Sequence, residues 1–400
     1  MKIAVIGAGA AGVFCAANLS EKFEVEIFEA QNKPLKKLLL TGGGRCNFTN
    51  ENIDAQDLKN FYPRGANNLK KSFRNLSCAG VRALFAEWGV PSKTEDEGRV
   101  FPVSDDARTI ASMLLKKAAR ANISASAPAE RIEKFDGGFR ITTQNGVAVF
   151  DAAIFACGGK WSGSLKKSLE QLGHKFVPEI PSLFALRCNL ASDAGWKSGI
   201  TLNAEISLGK TAAAGALLTT HFGLTGPAAL KFSAFAAREL AECGYNADVK
   251  ISFVRSPESL SRFFARARAT EPKKLMKNFR PPEIPIAFWE YVLCKTGANA
   301  QCNYANLSKT DEKKISDFLC AADAQILGRA SEQGEFVTCG GLDRADFDFA
   351  TMQSRRIENL FALGECLDID AITGGYNLHA AWATAKTCAN FLNKKLENKA

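Results

Sequence analysis

The sequence predicts an α/β protein in which a parallel sheet is interrupted by an inserted segment. Three stretches, at 3–20, 152–159 and 359–392, contain a short apolar strand followed by glycines, and the first and last continue into a helix. Strands that alternate with glycine turns and helices are typical of a parallel sheet. Between about 190 and 338 the pattern changes to short alternating stretches and then to helical periodicity, which indicates an insertion.

The composition sets limits on the class of protein. The chain has 400 residues, of which 46% are hydrophobic and 23% charged, so we expect more than one packed unit. The nearest two of the twelve cysteines, Cys294 and Cys302, are eight positions apart, so C-x-x-C metal and redox sites are excluded and no metal site is predicted. Scattered thiols suit a reducing compartment, and we expect a cytoplasmic protein.

The uncharged run from Ile3 to Ser20 raises the alternative of a signal peptide or a membrane segment. Gly7, Gly9 and Gly12 interrupt this run, and glycines destabilise the apolar helix that a signal peptide needs. Elsewhere the sequence lacks the roughly 18 apolar residues of a membrane span. We therefore expect no membrane segment.

The first thirty residues carry a complete nucleotide-binding pattern. A strand, the glycines of a G-x-G-x-x-G motif, a helix, a second strand at 24–28 and the acid Glu29 follow one another in order. Gly7 allows a tight turn, Gly9 lets the backbone approach a pyrophosphate, and Gly12 lets the helix pack closely on the strand. Glu29 can accept hydrogen bonds from a ribose, so the pattern predicts a Rossmann-like domain that binds a dinucleotide.

A second glycine cluster, TGGGRCN, begins at Thr41. A flexible turn is the plainer interpretation, but consecutive glycines such as Gly43 and Gly44 suit a backbone that lies against a flat ring or a phosphate. Arg45 adds a fixed cation and Asn47 adds a donor and an acceptor. We expect the thiol of Cys46 to belong to this ring-binding site, with a pKa lowered by Arg45, and not to a disulfide.

The third glycine region lies near the C-terminus. A strand at 359–363 ends at Gly364 and Glu365, and the sequence TGGYN then leads into a helix at 378–392. The N-terminus of that helix, directed at the N1–C2=O edge of a flavin, would stabilise the negative charge that this edge gains on reduction. The cofactor predicted from the pyrophosphate site and the two ring-binding loops is FAD.

Two features of the insertion leave alternatives open. His221 lies in the glycine-rich loop THFGLTGP, where it either transfers protons at the active site or holds the loop together. The basic segment Arg255 to Arg280 places Phe263 and Phe264 on one helical face, which favours an amphipathic helix with a solvated basic side over a nucleic-acid surface.

The motifs GAGAAG, KLLLTGGGRCNFTN, THFGLTGP and GECLDIDAITGGYNLHAAWATA together resemble the bacterial BaiN-like or YhiN-like flavoproteins, often called aminoacetone oxidase family FAD-binding enzymes. The resemblance covers nearly the whole chain. It implies a fold of the two-dinucleotide-binding-domain flavoprotein type, with an FAD domain at 1–189 and 339–400, a β-rich insert at 190–256 and a helical insert at 257–338. The stretch after Gly159 is shorter than is usual in that family.

Carried over by position, the resemblance implies FAD contacts at Gly7, Gly9, Gly12, Glu29, Gly43, Gly44, Arg45, Cys46, Asn47, Gly364, Glu365, Gly375, Tyr376 and Asn377.

The predicted function is that of an FAD-dependent oxidoreductase acting on a small molecule. Since no second G-x-G-x-x-G follows a strand, NAD(P)H as reductant would dock without a Rossmann domain of its own. We expect Arg45, Tyr376 and His221 to share the open face or edge of the flavin, as charge partner, substrate-positioning hydroxyl and proton donor. The alternatives are a flavin-dependent RNA-modifying protein that uses segment 255–280, and a flavin-binding protein without turnover.

Overall fold

The chain forms two units, and the first of them is discontinuous. In the computed structural model, unit 1 comprises Met1–Glu179 and Val337–Ala400, and unit 2 comprises Ile180–Phe336. The structure describes residues 1–55, 57–159, 161–254, 256–330 and 337–398. The outer limits expected for the insertion, 190 and 338, lie within ten residues of those of unit 2, and the expected boundary between 256 and 257 has no counterpart in this division. No helix in the described part of the chain is long and apolar enough to cross a membrane.

The first segment of unit 1 opens with the predicted order of strand, helix and second strand. Its elements are β1 (Lys2–Ile6), α1 (Ala10–Asn18), β2 (Glu24–Phe28), β3 (Thr49–Asn50), α2 (Asn52–Ala55), α3 (Ala66–Asn75), α4 (Cys78–Glu87), β4 (Ser92–Glu95), β5 (Arg99–Pro102), α5 (Ala107–Lys117), β6 (Asn122–Ser124), β7 (Ala129–Phe135), β8 (Gly138–Thr143), β9 (Gly146–Phe150), β10 (Ala152–Phe155), α6 (Gly163–Gln171) and β11 (Phe176–Ser182).

The inserted unit begins with strands and continues with helices. Its elements are β12 (Leu186–Cys188), β13 (Thr201–Leu208), β14 (Thr211–Thr219), β15 (Gly223–Thr225), α7 (Pro227–Phe235), α8 (Ala237–Glu242), β16 (Ala247–Ser252), α9 (Pro257–Thr270), α10 (Ile286–Thr296), α11 (Lys309–Ala321) and β17 (Ala322–Arg329).

The chain then returns to unit 1 and ends in its longest helix. The elements are β18 (Val337–Leu342), β19 (Phe347–Asp348), β20 (Gln353–Ser354), β21 (Leu360–Ala362) and α12 (Tyr376–Glu397).

The central sheet of unit 1 has seven strands in the order β19-β20-β21-β10-β1-β2-β6. The five strands from β21 to β6 run parallel. Strand β1 lies in the middle of the sheet, and its residues from Ile3 to Ile6 are apolar and at most 3% exposed. Helices α1 and α12 pack against each other. The carboxyl ends of β1, β2, β10 and β21 therefore meet at one edge of the sheet, where α/β proteins bind ligands.

Unit 2 is built around a closed barrel in the strand order β12-β15-β14-β13-β16-β17. Strand β17 follows helices α9 to α11 in the chain, and yet it closes the barrel between β12 and β16. The barrel and the helices share one hydrophobic cluster. The two inserts expected at 190–256 and 257–338 thus belong to one unit with one core.

The basic segment of the insertion contains the amphipathic helix predicted for it. Phe263 and Phe264 are 6% and 0% exposed on α9, and Arg268 on the same helix pairs with Glu312 of α11. Arg255, the first residue of the predicted segment, lies outside the described residues. The aromatic side chains of this helix are core residues and do not form a stacking surface for bases.

Candidate functional site

The first glycine loop connects the central strand β1 to helix α1. The amide of Gly7 donates to the carbonyl of Phe28 at the end of β2 (2.8 Å). A Cβ added to Gly7, whose φ is +109°, would lie 2.5 Å from the carbonyl oxygen of Ala156, and one added to Gly12 would overlap the carbonyl oxygen of Gly7. These two glycines are therefore required by the packing of the loop against β10 and α1.

Gly9 differs from Gly7 and Gly12. A Cβ added to Gly9 would lie 3.9 Å from the nearest atom, the carbonyl oxygen of Ala156. It precedes α1 as the N-cap residue, and no side chain caps the helix there. The N–H groups of the first helical turn can therefore bind an anion, and the positive end of the helix dipole favours one. This arrangement fits the pyrophosphate of a dinucleotide.

Glu29 lies at the end of β2, beside the first glycine loop. Its carboxylate accepts hydrogen bonds from the amides of Ala8 (2.7 Å) and Gln31 (2.8 Å). Each carboxylate oxygen has a second lone pair. The two amides fix the orientation of the group and leave acceptor capacity for ribose hydroxyls.

The second glycine loop turns between Leu38 and Asn47. Gly42, Gly43 and Gly44 have φ values of +58°, +68° and +85°, a region that side chains disfavour. A Cβ added to Gly43 would meet no atom within 4 Å, and one added to Gly44 would meet the oxygen of Leu39 at 4.0 Å. The packing of unit 1 therefore leaves space beside Gly43 and Gly44. A loop that binds a flat ligand needs such space.

Arg45 is fixed by two carboxylates. Its guanidinium pairs with Glu95 and with Asp105, whose Oδ1 accepts from Nε at 2.9 Å, and it lies over the ring of Phe101 at 4.1 Å. Arg45 is therefore the fixed cation that the sequence predicts, but its charge is already balanced within the protein. Its contact with a flavin stays a prediction.

The expectation of a reactive, low-pKa thiol at Cys46 is wrong. Cys46 is fully buried, and burial raises the pKa of its thiol to about 12, an effect that a hydrogen bond with Thr41 opposes. The guanidinium of Arg45 is directed to Glu95 and Asp105. Desolvation of the thiolate therefore outweighs the charge of the neighbouring residue in the chain.

The third glycine region begins where β21 ends. The carboxylate of Glu365 pairs with Lys37 (2.7 Å) and accepts a hydrogen bond from the amide of Thr338 (2.8 Å). A Cβ added to Gly364 would lie 3.4 Å from Ala11 and 3.6 Å from Ala381. Gly364 thus lies against both α1 and α12, and Glu365 connects three parts of unit 1.

Gly375 starts helix α12 and lies against the second glycine loop. Its φ is +92°, and no side chain caps the helix. An added Cβ would lie 2.5 Å from the carbonyl oxygen of Thr49 and 2.7 Å from Oδ1 of Asn47. Asn377 holds the preceding turn, because its amide group bonds both the N–H and the C=O of Ala371 at 2.9 Å. The second and third glycine regions are therefore in direct contact.

Tyr376 is largely buried. It is 4% exposed and stacks on Phe61, with the ring centroids 4.5 Å apart and the planes 11° from parallel. Burial raises the pKa of its hydroxyl to about 12, so the hydroxyl stays protonated at neutral pH, although a hydrogen bond with Asn52 opposes that shift. The predicted contact with a substrate stays a prediction, and it would require this hydroxyl to become accessible.

Asn47 provides a test of whether the site fits a flavin. The residue is 8% exposed, and its Oδ1 has no hydrogen-bond partner among the described residues. A buried carbonyl oxygen without a partner is costly. A polar group of a ligand that donates to it would remove that cost, and the flavin N3–H group has this character. The oxygen lies beside Gly375, so the residues present fit the ring that the sequence predicts.

His221 lies in unit 2, in the turn between β14 and β15. Its side chain is exposed and lies edge-on to Phe222, with the ring centroids 5.0 Å apart. The loop is thus placed at the surface of the barrel. The predicted role of His221 in proton transfer stays a prediction.

Sequence reasoning missed several residues that build the site. Arg64 and Asp370 form a buried ion pair that joins the segment before α3 to the turn before α12. Thr49 and His379 form a second buried contact between the glycine regions. The pairing of segments about 300 residues apart leaves no local signal, although the polar residues inside the apolar pattern of α12 were visible in the sequence.

Comparison with known proteins agrees with this geometry. The chain matches the family described as HI0933-like protein Rossmann domain over residues 1–391. It is 27% identical over 97% of both chains to the ribosomal RNA dihydrouridine synthase of Escherichia coli (strain K12). It is 28% identical to the 3-dehydro-bile acid delta(4,6)-reductase of Clostridium scindens, over 96% of this chain and 97% of that protein.

Among solved structures, the chain is similar to the 3-ketosteroid delta1-dehydrogenase of Sterolibacterium denitrificans, with 11% identity and a TM-score of 0.47 over 98% of this chain and 99% of that chain. The predicted fold class, a Rossmann-like FAD-binding domain interrupted by an insertion, is confirmed. The family match over almost the entire length shows that this chain belongs to the HI0933-like Rossmann family.

Proposed function

We propose that this protein is a reductase that saturates an activated C=C bond of a small molecule, with NAD(P)H as the electron donor. The observation that carries the proposal is the chemistry shared by two full-length relatives. One is named a dihydrouridine synthase and the other a delta(4,6)-reductase. Both names describe the addition of hydrogen to a ring double bond, although the two substrates differ greatly in size.

The net reaction consumes one NAD(P)H and one proton for each C=C bond reduced. One carbon receives a hydride equivalent and its neighbour receives the proton, so two C–H bonds replace the π bond and NAD(P)⁺ is released. When bound, FAD supplies the capacity to take a hydride from one molecule and pass it to another. A carbonyl conjugated with the C=C bond would make the bond electrophilic enough to accept the hydride.

The residues of the chain bind and orient the cofactor. The N-terminus of α1 beyond Gly9 would hold the pyrophosphate, and Glu29 would hold the ribose. Asn47 and the N-terminus of α12 would hold the polar edge of the ring. The proposed FAD-binding set also includes the remaining residues predicted from the sequence: Gly7, Gly12, Gly43, Gly44, Arg45, Cys46, Gly364, Glu365, Gly375, Tyr376 and Asn377.

The proposed substrate-facing groups are Arg45, Tyr376 and His221. The carboxylates of Glu95 and Asp105 hold the Arg45 guanidinium in place, so it can orient a polar substrate group without moving. Tyr376 would position the substrate through its hydroxyl, and burial raises the pKa of that hydroxyl to about 12. His221 is the proposed proton donor, and the exposed position of its side chain supports contact with a substrate.

NAD(P)H would reach the flavin without a domain of its own. The sequence contains one G-x-G-x-x-G after a strand, and that site is assigned to FAD. A reductant that docks transiently and leaves before the substrate enters gives ping-pong kinetics.

The experiment is an anaerobic two-step titration of the purified yellow protein. NADH or NADPH is added first and bleaching of the flavin band is followed. A cyclic enone, a saturated ketone of the same size, uridine and a uridine-containing RNA are then added in parallel. We expect the enone to restore the band with formation of the saturated product. Failure of NAD(P)H to bleach the flavin, or equal rates for the enone and the saturated ketone, would contradict the proposal.

An RNA substrate is the second candidate. Two relatives, from Escherichia coli and Haemophilus influenzae, carry the name ribosomal RNA dihydrouridine synthase, and α9 presents Arg262 and Arg266 on its exposed side. Phe263 and Phe264 are core residues, which removes the aromatic platform expected of a single-strand binder. Mass spectrometry of ribosomal RNA from cells with and without the gene tests this candidate, since loss of a dihydrouridine would establish it.

A further inference from the structure

The strand that leaves the second glycine loop is joined to the start of α12 at four consecutive residues. Oδ1 of Asn47 and the carbonyl of Thr49 lie against Gly375. The carbonyl of Phe48 accepts from Nε1 of Trp382 (2.9 Å), and Nδ2 of Asn50 donates to the carbonyl of Gly374 (3.0 Å). A further contact joins the side chains of Thr49 and His379.

The contact between Thr49 and His379 is fully buried. Oγ1 of Thr49 and Nδ1 of His379 are 2.8 Å apart, and both residues have 0% exposure. The ring of Phe73 lies edge-on to the imidazole at 4.6 Å. Burial lowers the pKa of His379 to about 3, so the imidazole is neutral at physiological pH and the hydrogen bond persists across the working range.

The position of this contact suggests more than packing. Thr49 is two residues from Asn47, whose buried Oδ1 has no partner among the described residues, and His379 is one helical turn from Gly375, where α12 begins without a side-chain cap. The hydrogen bond therefore connects the two groups assigned above to the polar edge of the flavin. A small shift of β3 along α12 would change the distance between these groups.

We propose that Thr49 and His379 are positioning residues that fix Asn47 relative to the N-terminus of α12 and thereby set the reduction potential of the bound flavin. This inference rests on the proposed flavin site. The positive end of α12 stabilises the negative charge that the ring edge gains on reduction. If the contact is lost, β3 can move, the helix terminus and Asn47 no longer converge on the ring, and the flavin becomes harder to reduce.

The test compares three variants of the holoprotein. Thr49→Val keeps the size of the side chain and removes its hydroxyl, whereas Thr49→Ser keeps the hydroxyl. Thr387→Val is the matched control, because Thr387 is another buried threonine, lies farther along α12 and bonds Asn75 at 3.0 Å. The midpoint potential is measured by equilibration with redox dyes, the dissociation constant of FAD by fluorescence, and the stability by thermal unfolding.

We expect Thr49→Val to shift the midpoint potential to more negative values and to weaken FAD binding about fivefold, which is the loss of one net hydrogen bond. Thr49→Ser should retain the wild-type potential. Thr387→Val should lose a similar amount of stability without a change in potential. If Thr49→Val does not fold, His379→Gln provides the same comparison.

Equal potentials in wild type, Thr49→Val and Thr387→Val would overturn the inference and leave a merely structural role. Failure of the wild-type protein to bind FAD would instead contradict the proposed flavin site itself. A fourth measurement distinguishes a change in the position of β3 from a change in FAD affinity. Amide hydrogen exchange at 47–50 in the apoprotein should become faster in Thr49→Val and stay unchanged in Thr387→Val.

Discussion

The first and second glycine loops of unit 1 use the same residue for different reasons. In the first loop, added Cβ atoms at Gly7 and Gly12 would collide with backbone carbonyls of the protein itself. In the second loop, an added Cβ at Gly43 would meet no atom within 4 Å, and the constraint is the backbone conformation, with φ at +68°. The fold therefore requires Gly7 and Gly12 of the first loop, whereas the second loop has room for a ligand beside Gly43 and Gly44.

The comparison predicts that substitutions in the two loops have different consequences. A methyl group at Gly7 or Gly12 of the first loop should destabilise the fold itself. A methyl group at Gly43 of the second loop should cost little stability and should contact the ligand directly. Gly375 lies between the two cases, because it contacts the second loop and starts a helix.

The largest effect is expected for Gly12→Ala. The new methyl group would overlap the carbonyl of Gly7 and approach the side chain of Val5, so α1 would have to move off β1. We expect a loss of more than about 3 kcal/mol in the free energy of unfolding, or failure to fold. Urea unfolding followed by circular dichroism measures it. A Gly12→Ala protein of wild-type stability would show that the close packing of α1 on β1 is dispensable.

Gly375→Ala should be the next most damaging. The methyl group would lie against the carbonyl of Thr49 and Oδ1 of Asn47, in a backbone conformation that alanine disfavours. We expect a loss of about 2 to 3 kcal/mol in stability and at least a tenfold weaker affinity for FAD. Thermal unfolding with and without FAD separates the two. Normal FAD affinity in a destabilised protein would place Gly375 outside the flavin site.

Glu29→Ala tests the ribose end of the site. Loss of hydrogen bonds to a charged acceptor costs roughly 1.5 to 3 kcal/mol, so we expect FAD binding to weaken by one to two orders of magnitude. The matched control is Glu26→Ala on the same strand, where the carboxylate lies near Ser124. Equal FAD affinities for the two variants, measured by fluorescence titration, would assign Glu29 a purely structural role in its bonds to Ala8 and Gln31.

Gly43→Ala should have a small effect on stability, about 1 kcal/mol, because a left-handed backbone disfavours alanine and no atom obstructs the methyl group. If FAD lies against this loop, the loss in the free energy of FAD binding should exceed the loss in the free energy of unfolding. Isothermal titration of the apoprotein measures the affinity. An unchanged affinity would mean that Gly43 faces solvent in the complex as well.

The thiol of Cys46 should react more slowly than the exposed thiols of Cys243 and Cys294. Its pKa of about 12 leaves almost no thiolate at neutral pH, and raising the pH toward 12 should increase the fraction of thiolate. Cys243 and Cys294, which are exposed, are internal controls and should be modified first. Peptide mass spectrometry after timed alkylation of the holoprotein and the apoprotein at pH about 8 identifies the order. Early modification of Cys46 would contradict its burial.

The sequence was most informative where structure is local. The strand at 24–28 was predicted with its observed bounds, because it lies between a glycine-led helix and a terminal acid in a pattern that has few alternatives. The apolar face of α9 was also predicted correctly. The closure of the barrel was not predicted, since β17 follows three helices and pairs with a strand near 186.

The same limit applies to the candidate site. Glycine motifs marked all three regions that the structure brings to the carboxyl edge of the sheet. The chemical state of Cys46 depends on burial by segments distant in the chain, and so the pKa predicted from its neighbour Arg45 had the wrong direction. The contact of Thr49 with His379 joins residues 330 positions apart, and a single sequence contains no trace of such a pairing.

The barrel of unit 2 closes where its first and last strands pair, with Leu186 beside Arg329. Entry and exit of the chain are therefore neighbours, and a segment with this geometry can be gained, lost or exchanged in one genetic event without disturbing the strands that flank it.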